Sequence, residues 1–501
     1  MDYPSLILAP SPPDERFKRG TYLLASSHYT THLGSDNDMP SNKAYTMVLR
    51  VKQELTKDLH REHGTAPVNS NFQLMVDTGS DTTWVFGDKC RALEDTSDNV
   101  RDWEIPSSLD RPHHSDGIFD HAYRNHAASK DAQPVWRLDK DAVTGKVAYR
   151  DTTRALITLT KKPMKVTLAE SYAFSIRSWR SPLDLQLSFG VAYAMTKSLY
   201  TRLGHGILGM GILTYQPEFK GARDQWPRSF GVTLAEKFSS HPILSAETGE
   251  GGLIYYFGLR QSLEHGDSFL GVNQWPCVDD TGAPIPPAWS DEIPLVKDAD
   301  GWSVTALSFE FLFDLKEKGV QRIVNSFYAL GEGGNGIAVT LDTGSSLSWL
   351  PAGLVCHLRR KVFASQENRT IDEAQGERAV PLSVRSPPPF FGPSRLNLSG
   401  WQVKVTFRGA GDSKVPVTLP VDPFVCTHNP TRSLSRHGSP EGLICIPPWS
   451  DAQYLLGMNF FQAAFVAMHN VHPGHPEKAY VRMAPQWPKE RSHYRIPPRF
   501  S

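Results

Sequence analysis

The sequence is poor in cysteine: Cys90, Cys277, Cys356, Cys426 and Cys445 are the only five in 501 residues, and none forms a CxxC pair. This excludes a disulfide-scaffold protein and removes the ligand spacing of a structural zinc site. Cys426 and Cys445, separated by a polar loop, leave two readings open, a disulfide or two buried thiols. Net charge is also lacking, since 53 Lys and Arg balance 53 Asp and Glu. Nothing in that balance offers a basic surface to nucleic acid or to an anionic membrane. No run of 18 apolar residues occurs, so no membrane span is expected. The opening MDYPSLILAPSPPDERFKRG has no basic stretch leading into an apolar one and does not read as a signal peptide. A secretory or vacuolar location would require a start upstream of Met1, and only then would the sequons at Asn368 and Asn397 matter. HExxH, GxSxG and GxxxxGK[ST] are all missing, so zinc-protease, serine-hydrolase and phosphate-loop chemistry find no support. His113, His114 and His121 read as part of a solvated polar loop rather than a metal site, and no metal or cofactor is expected.

Turn-forming residues, by contrast, are plentiful. Gly and Pro number 38 each, with 40% apolar and 21% charged residues, ordinary globular usage with no collagen-like period. This composition favours short strands joined by tight turns, a mostly β fold with few helices. Residues 1–40 are rich in Pro, Ser and Asp and read as a loosely ordered extension. A first lobe is expected over 41–240, with a polar, His- and Asp-rich insertion near 91–140. A second lobe is expected over 241–490, then a tail at 491–501. Strand-like patterns occur in YTMVLRVKQ, NFQLMV, TTWVFG and KVAYRDTTRALITLTKKPMKVTLA, and again in GGLIYYFGL, WSVTALSFEFLFD and WQVKVTFRG. HGILGMG reads as an apolar turn punctuated by glycine, FGVTLAEKF and AGLVCHLRRKVF as short helices, and GEGGNG as a flexible turn.

The most informative feature is a repeat. LMVDTGSDTTWV (Leu74–Val85) and VTLDTGSSLSWL (Val339–Leu350) share an apolar lead-in, an Asp-Thr-Gly-Ser turn and a Trp seven residues after the Asp. One copy is an ordinary turn at a strand end, but two, one per half, point to duplicated lobes that each present a carboxylate. The residue types suit acid–base chemistry. Asp77 and Asp342 leave apolar strands at a turn, and Gly79 and Gly344 let backbone N–H groups approach the carboxylates. The hydroxyls of Thr78 and Thr343 can bond across to the other lobe, and those of Ser80 and Ser345 can reach the carboxylates. Two such carboxyls brought together share one proton, one serving as base toward water and the other as acid toward an amide carbonyl; the aspartic-protease dyad is the general example of this splitting.

At these residues the chain resembles a pepsin-like aspartic protease (peptidase family A1), as a divergent member, over about residues 41–488. The resemblance implies a bilobal fold with a substrate cleft between two related β lobes, and an endopeptidase with Asp77 and Asp342 as the catalytic pair. Val147-Ala148-Tyr149-Arg150-Asp151 resembles the family's flap, which makes Tyr149 the flap tyrosine and Trp84 its indole support. His205-Gly206-Ile207-Leu208-Gly209, Leu455–Phe461 and Gly301-Trp302-Ser303-Val304 resemble further family segments. The flap departs from the family in having Arg150 and Thr152 where glycines stand, and His205 and Met458 replace aspartates. Implied partners are peptides or proteins bound extended, six to eight residues at a time, by a monomer. The flap departures and the polar insertion keep open an alternative, a catalytically weakened protein that binds peptides. The neutral balance of charge gives no reason to expect an extreme-acid working pH.

Overall fold

The computed structural model describes residues 20–29, 42–52, 69–93, 144–148, 154–159, 164–169, 184–187, 190–196, 206–212, 229–239, 253–259, 268–272, 275, 277, 285–297, 301–317, 320–345, 348–357, 391–392, 401–421, 423, 442–443, 454–470 and 476–487. Among these the fold is mostly β with few helices. The chain divides into two compact units, Tyr22–His241, and Pro242–Phe500 together with Met1–Thr21.

The N-terminal unit carries β1 (Gly20–Tyr29), β2 (Asn42–Lys52), β3 (Asn69–Asp77), β4 (Trp84–Leu93), β5 (Thr144–Ala148), β6 (Arg154–Leu159), β7 (Met164–Ala169), β8 (Asp184–Leu187), β9 (Gly190–Thr196) and β10 (Gly206–Gly209). They follow the order β1-β2-β3-β10-β4-β9-β6-β5, with β7 on β2 and β8 on β7. The pairings are antiparallel except β3 with β10 and β4 with β9. Two expectations change here. Residues 20–29 of the supposed extension form a strand paired with β2. Gly206–Gly209, read as a turn, is a strand buried at all four positions. It is hydrogen-bonded on both sides, to β3 and β4, and so shows a continuous apolar run instead of the alternation that marks a half-exposed strand. Leu74, Val76, Trp84, Ile157, Met195 and Leu208 form part of the core of this unit. Helix α1 (Phe230–Ser239) covers one side and is capped by Ser229, whose hydroxyl accepts the Val232 N–H at 3.0 Å.

The C-terminal unit carries β11 (Leu253–Gly258), β12 (Ser268–Val272), β13 (Ile293–Pro294), β14 (Ser303–Glu317), β15 (Val320–Ala329), β16 (Ile337–Leu341), β17 (Phe391–Gly392), β18 (Gln402–Arg408), β19 (Lys414–Pro420), β20 (Gly442–Leu443), β21 (Tyr454–Leu456), β22 (Ala464–Asn470) and β23 (Tyr480–Pro485). One run of neighbours is β13-β23-β22-β11-β12 and another is β19-β18-β14-β16-β21, with β15 on β14 and a separate β17–β20 pair. The length of β14 lets it serve three partners: β16 along Ser303–Ala306, then β18 and β15 further on. Strand β18 alternates buried and half-buried residues, as its sequence predicts for a sheet with one face covered. Strand β22 is buried at every position because β11 and β23 flank it and both faces are packed. An aromatic cluster lies against it. Trp275 meets Phe465, Phe269 and Trp289 edge-on at 5.0, 5.5 and 5.4 Å, geometry favoured by the ring quadrupoles. Its indole N–H donates to the Ile285 carbonyl at 2.6 Å, which satisfies that polar atom inside the cluster. Among the described residues of this unit are the short helices α2 (Ala352–His357) and α3 (Met458–Ala463).

Candidate functional site

Each DTGS motif folds as a strand running into a tight turn. In the first, β3 ends on Asp77, and the Gly79 N–H donates to Asp77 Oδ1 at 2.9 Å while the Ser80 N–H meets the Asp77 carbonyl at 3.4 Å. In the second, the Gly344 N–H donates to Asp342 Oδ1 at 2.8 Å and the Ser345 N–H meets the Asp342 carbonyl at 3.4 Å. The two turns are the same to within 0.1 Å in these bonds. Each fixes one carboxylate oxygen against a backbone N–H, which holds the side chain in one direction. Asp77 is only 4% exposed, whereas Asp342 is half-buried. Thr78 and Thr343 are both buried.

A strand from later in the chain lies beside each turn. In the N-terminal unit β10 runs parallel to β3, with Ile207 opposite Met75, Leu208 opposite Val76 and Gly209 opposite Asp77. In the C-terminal unit β21 runs parallel to β16, with Thr340 opposite Leu455 and Leu341 opposite Leu456. The same strand then reaches the tryptophan after the turn, Ile207 pairing with Trp84 and Leu455 with Trp349. Matching these pairs makes Gly209 equivalent to Gly457 and Thr83 equivalent to Ser348. The equivalence holds in detail. The Gly209 N–H donates to Thr83 Oγ1 at 3.1 Å, and the Gly457 N–H donates to Ser348 Oγ at 3.0 Å.

Further bonds bind the loops to these strands. Met210 and Gly211 donate their N–H groups to the carbonyls of Asp77 and Ser80, at 2.8 and 2.9 Å. In the second unit Met458 donates to the Ser345 carbonyl at 2.7 Å, and Asp342 donates to the Leu456 carbonyl at 2.9 Å. The approach leaves no room for a side chain: a Cβ on Gly209 would lie 2.8 Å from the Ser80 oxygen and from two backbone atoms of Thr82. Thr83, Ser348, Gly209 and Gly457 were not singled out by the roles sequence reasoning assigned. The available signal was a hydroxyl six residues after each aspartate.

Other expected residues fall in several places. The Ser80 hydroxyl donates to the Thr82 carbonyl at 3.3 Å and so helps close the turn. Trp84 is fully buried in the core of its unit, and Trp349 is 7% exposed in its own. Met458, where the resemblance leads one to look for an aspartate, is a buried residue opening α3. Tyr149, His205, Cys426, Cys445, His113, His114, His121 and the 94–140 part of the polar insertion lie outside the described residues. Cys277 is a buried thiol.

Several described groups of the C-terminal unit have shifted titrations. Burial, and then the Arg482 charge, lower the pKa of His469 to about 3. Burial drives that of Tyr255 up and, with Tyr480 adding to it, takes Tyr256 to about 12. The side-chain bond from Lys404 holds Glu310 below its usual range, aided by Asn325. Among the described residues no group of three or more His, Cys, Asp or Glu could hold a metal ion, and no helix is long and apolar enough to cross a membrane. In comparison with known proteins, no family profile matches the chain and no curated protein matches it significantly.

Proposed function

We propose that this chain is an aspartic-type endopeptidase of bilobal, pepsin-like architecture, in which Asp77 and Asp342 act together on one water. The observation that supports it is the duplicated aspartate turn. Two units, each by itself, hold a carboxylate by the same glycine N–H and back it by the same parallel strand. In this reading one carboxylate takes a proton from the water as it attacks the peptide carbonyl. The other, protonated, donates to the carbonyl oxygen and later helps pass a proton to the leaving amine. The substrate is a peptide or protein segment held extended through its main chain, the chain acts as a monomer, and Tyr149 closes over the substrate.

The test is peptide cleavage by the parent chain and by Asp77→Asn and Asp342→Asn, measured from pH 3 to pH 8 on a mixed peptide pool. Cleavage by the parent that falls by about 10²–10⁴-fold in either variant is expected, the range for losing a positioned acid or base. A parent that cleaves nothing, or an Asp77→Asn variant as active as the parent, overturns the proposal. Binding of a statine-containing peptide without any cleavage would mark the weakened, peptide-binding alternative.

A further inference from the structure

The +6 hydroxyls have no part in the bond-making chemistry, yet both units keep one there, and both use it on the same partner. Thr83 is 1% exposed and Ser348 is fully buried. Gly209 and Gly457, the donors, are buried as well. A buried N–H without an acceptor is costly, so an apolar residue in place of either hydroxyl would force the strand to shift or leave the donor unmatched. The surroundings show what such a shift would move. Gly209, Met210 and Gly211 send three successive N–H groups into the first aspartate loop, to Thr83, Asp77 and Ser80 in turn. The Thr83 carbonyl meanwhile accepts the Gly190 N–H at 2.9 Å, so this residue joins β9 and β10 to the loop. In the second unit the Ser348 hydroxyl accepts from Gly457 and donates to Asn459 Oδ1 at 2.7 Å, which fixes the direction of its proton. The next N–H along, that of Met458, holds the Ser345 carbonyl.

We infer that Thr83 and Ser348 are positioning residues, whose hydroxyls hold the glycine N–H of the backing strand and thereby set each aspartate turn against it. The role rests on the endopeptidase reading for its effect on rate, but the clamp itself is a property of each unit. A carboxylate displaced by a fraction of an ångström still allows substrate to bind while it misdirects the attacking water. Losing the hydroxyl therefore affects turnover more than binding.

The experiment compares Thr83→Val and Ser348→Ala with the conservative Thr83→Ser and Ser348→Thr in the full chain. Two readouts are taken, amide hydrogen exchange over residues 206–212 and 454–460, and kcat and KM on a cleaved peptide. In Thr83→Val and Ser348→Ala, exchange is expected to speed at least tenfold at the affected strand, and kcat to fall about 10–100-fold with KM within twofold. The conservative variants are expected to regain most of both. Unchanged exchange in Thr83→Val overturns the inference. Faster exchange with unaltered kcat, or a loss that falls on KM alone, overturns the positioning role. A parent chain that cleaves no peptide overturns the endopeptidase reading and the catalytic part of the inference, while the exchange result still decides whether the clamp exists.

Discussion

His469 makes the stability of the C-terminal unit depend on pH in a calculable direction. It sits in β22 opposite both Ile254 and Tyr480, is 8% exposed, and stacks on the Tyr480 ring at 4.3 Å with only 15° between planes. The Arg482 guanidinium lies 5.6 Å from that same ring and pairs with Glu292 at 2.8 Å. A proton on His469 would place a second, buried cation in this corner, and its pKa accordingly falls from 6.5 to about 3. The folded state holds the neutral ring, whereas the unfolded chain takes up a proton near pH 6.5. The stabilisation is thus complete above pH 6.5 and is lost as pH falls from 6.5 toward 3. At about 1.36 kcal/mol for each pH unit the full loss is on the order of 4–5 kcal/mol, a large part of the stability of an ordinary domain. The variant His469→Phe keeps a stacking ring and removes the titration. Urea unfolding at pH 7.5, 6, 5 and 4, followed by tryptophan fluorescence, should show the parent losing stability faster than the variant below pH 6. The gap should widen by about 1.4 kcal/mol per pH unit. Parallel curves for the two proteins would refute the reasoning.

The crowding at Gly209 predicts that Gly209→Ala destabilises by about 2–3 kcal/mol in urea unfolding, because the clashing atoms are backbone and cannot rotate away. Gly334→Ala, at a φ of +76° with nothing within 4 Å, should cost only about 1–2 kcal/mol, from its left-handed backbone alone; equal losses in the two variants would contradict the steric account. Ser348→Ala should cost more than Thr83→Val in the same assay, by about 1–3 kcal/mol. It removes a donor from fully buried Asn459 as well as an acceptor from Gly457, and equal midpoints would show that the Asn459 bond contributes nothing.

Features local to a few residues were the ones legible in the sequence. The alternation in β18, the aspartate turns and the helix at Phe230–Ser239 all depend on neighbours within a turn or a strand. The sequence of strand β10 reads as a turn because a strand flanked on both sides loses alternation, and its glycines look like turn residues out of context. Strand β15 escaped notice because QRIVNSFYA mixes polar residues into its pattern, and its pairing with β14 supplies the order that the pattern does not. The hydroxyl clamps were invisible for a different reason. Their partners stand 126 and 109 residues away, and one copy uses Thr where the other uses Ser. Only the register of β10 and β21 brings donor and acceptor together.

The two units diverge soon after the backing strand, which is informative about what the duplication retains. Past Gly457 the chain turns directly into α3, whereas Gly211 and Ile212 after β10 are not helical, and the Gly211 carbonyl accepts from the Ser229 hydroxyl at 2.5 Å just before α1 begins. A turn whose only task is to end a strand needs its own Asp–Gly bond and nothing more. Here each copy also keeps a parallel strand beside the aspartate, a tryptophan paired to that strand and a buried hydroxyl on its glycine, although the elements that follow differ. None of these three additions is required for the strand to turn. All of them restrict where the aspartate stands, and each buries polar backbone that must then be satisfied. Constraints spent twice on the placement of one carboxylate, and not on the path of the chain beyond it, argue that this placement is what the two units have in common to do.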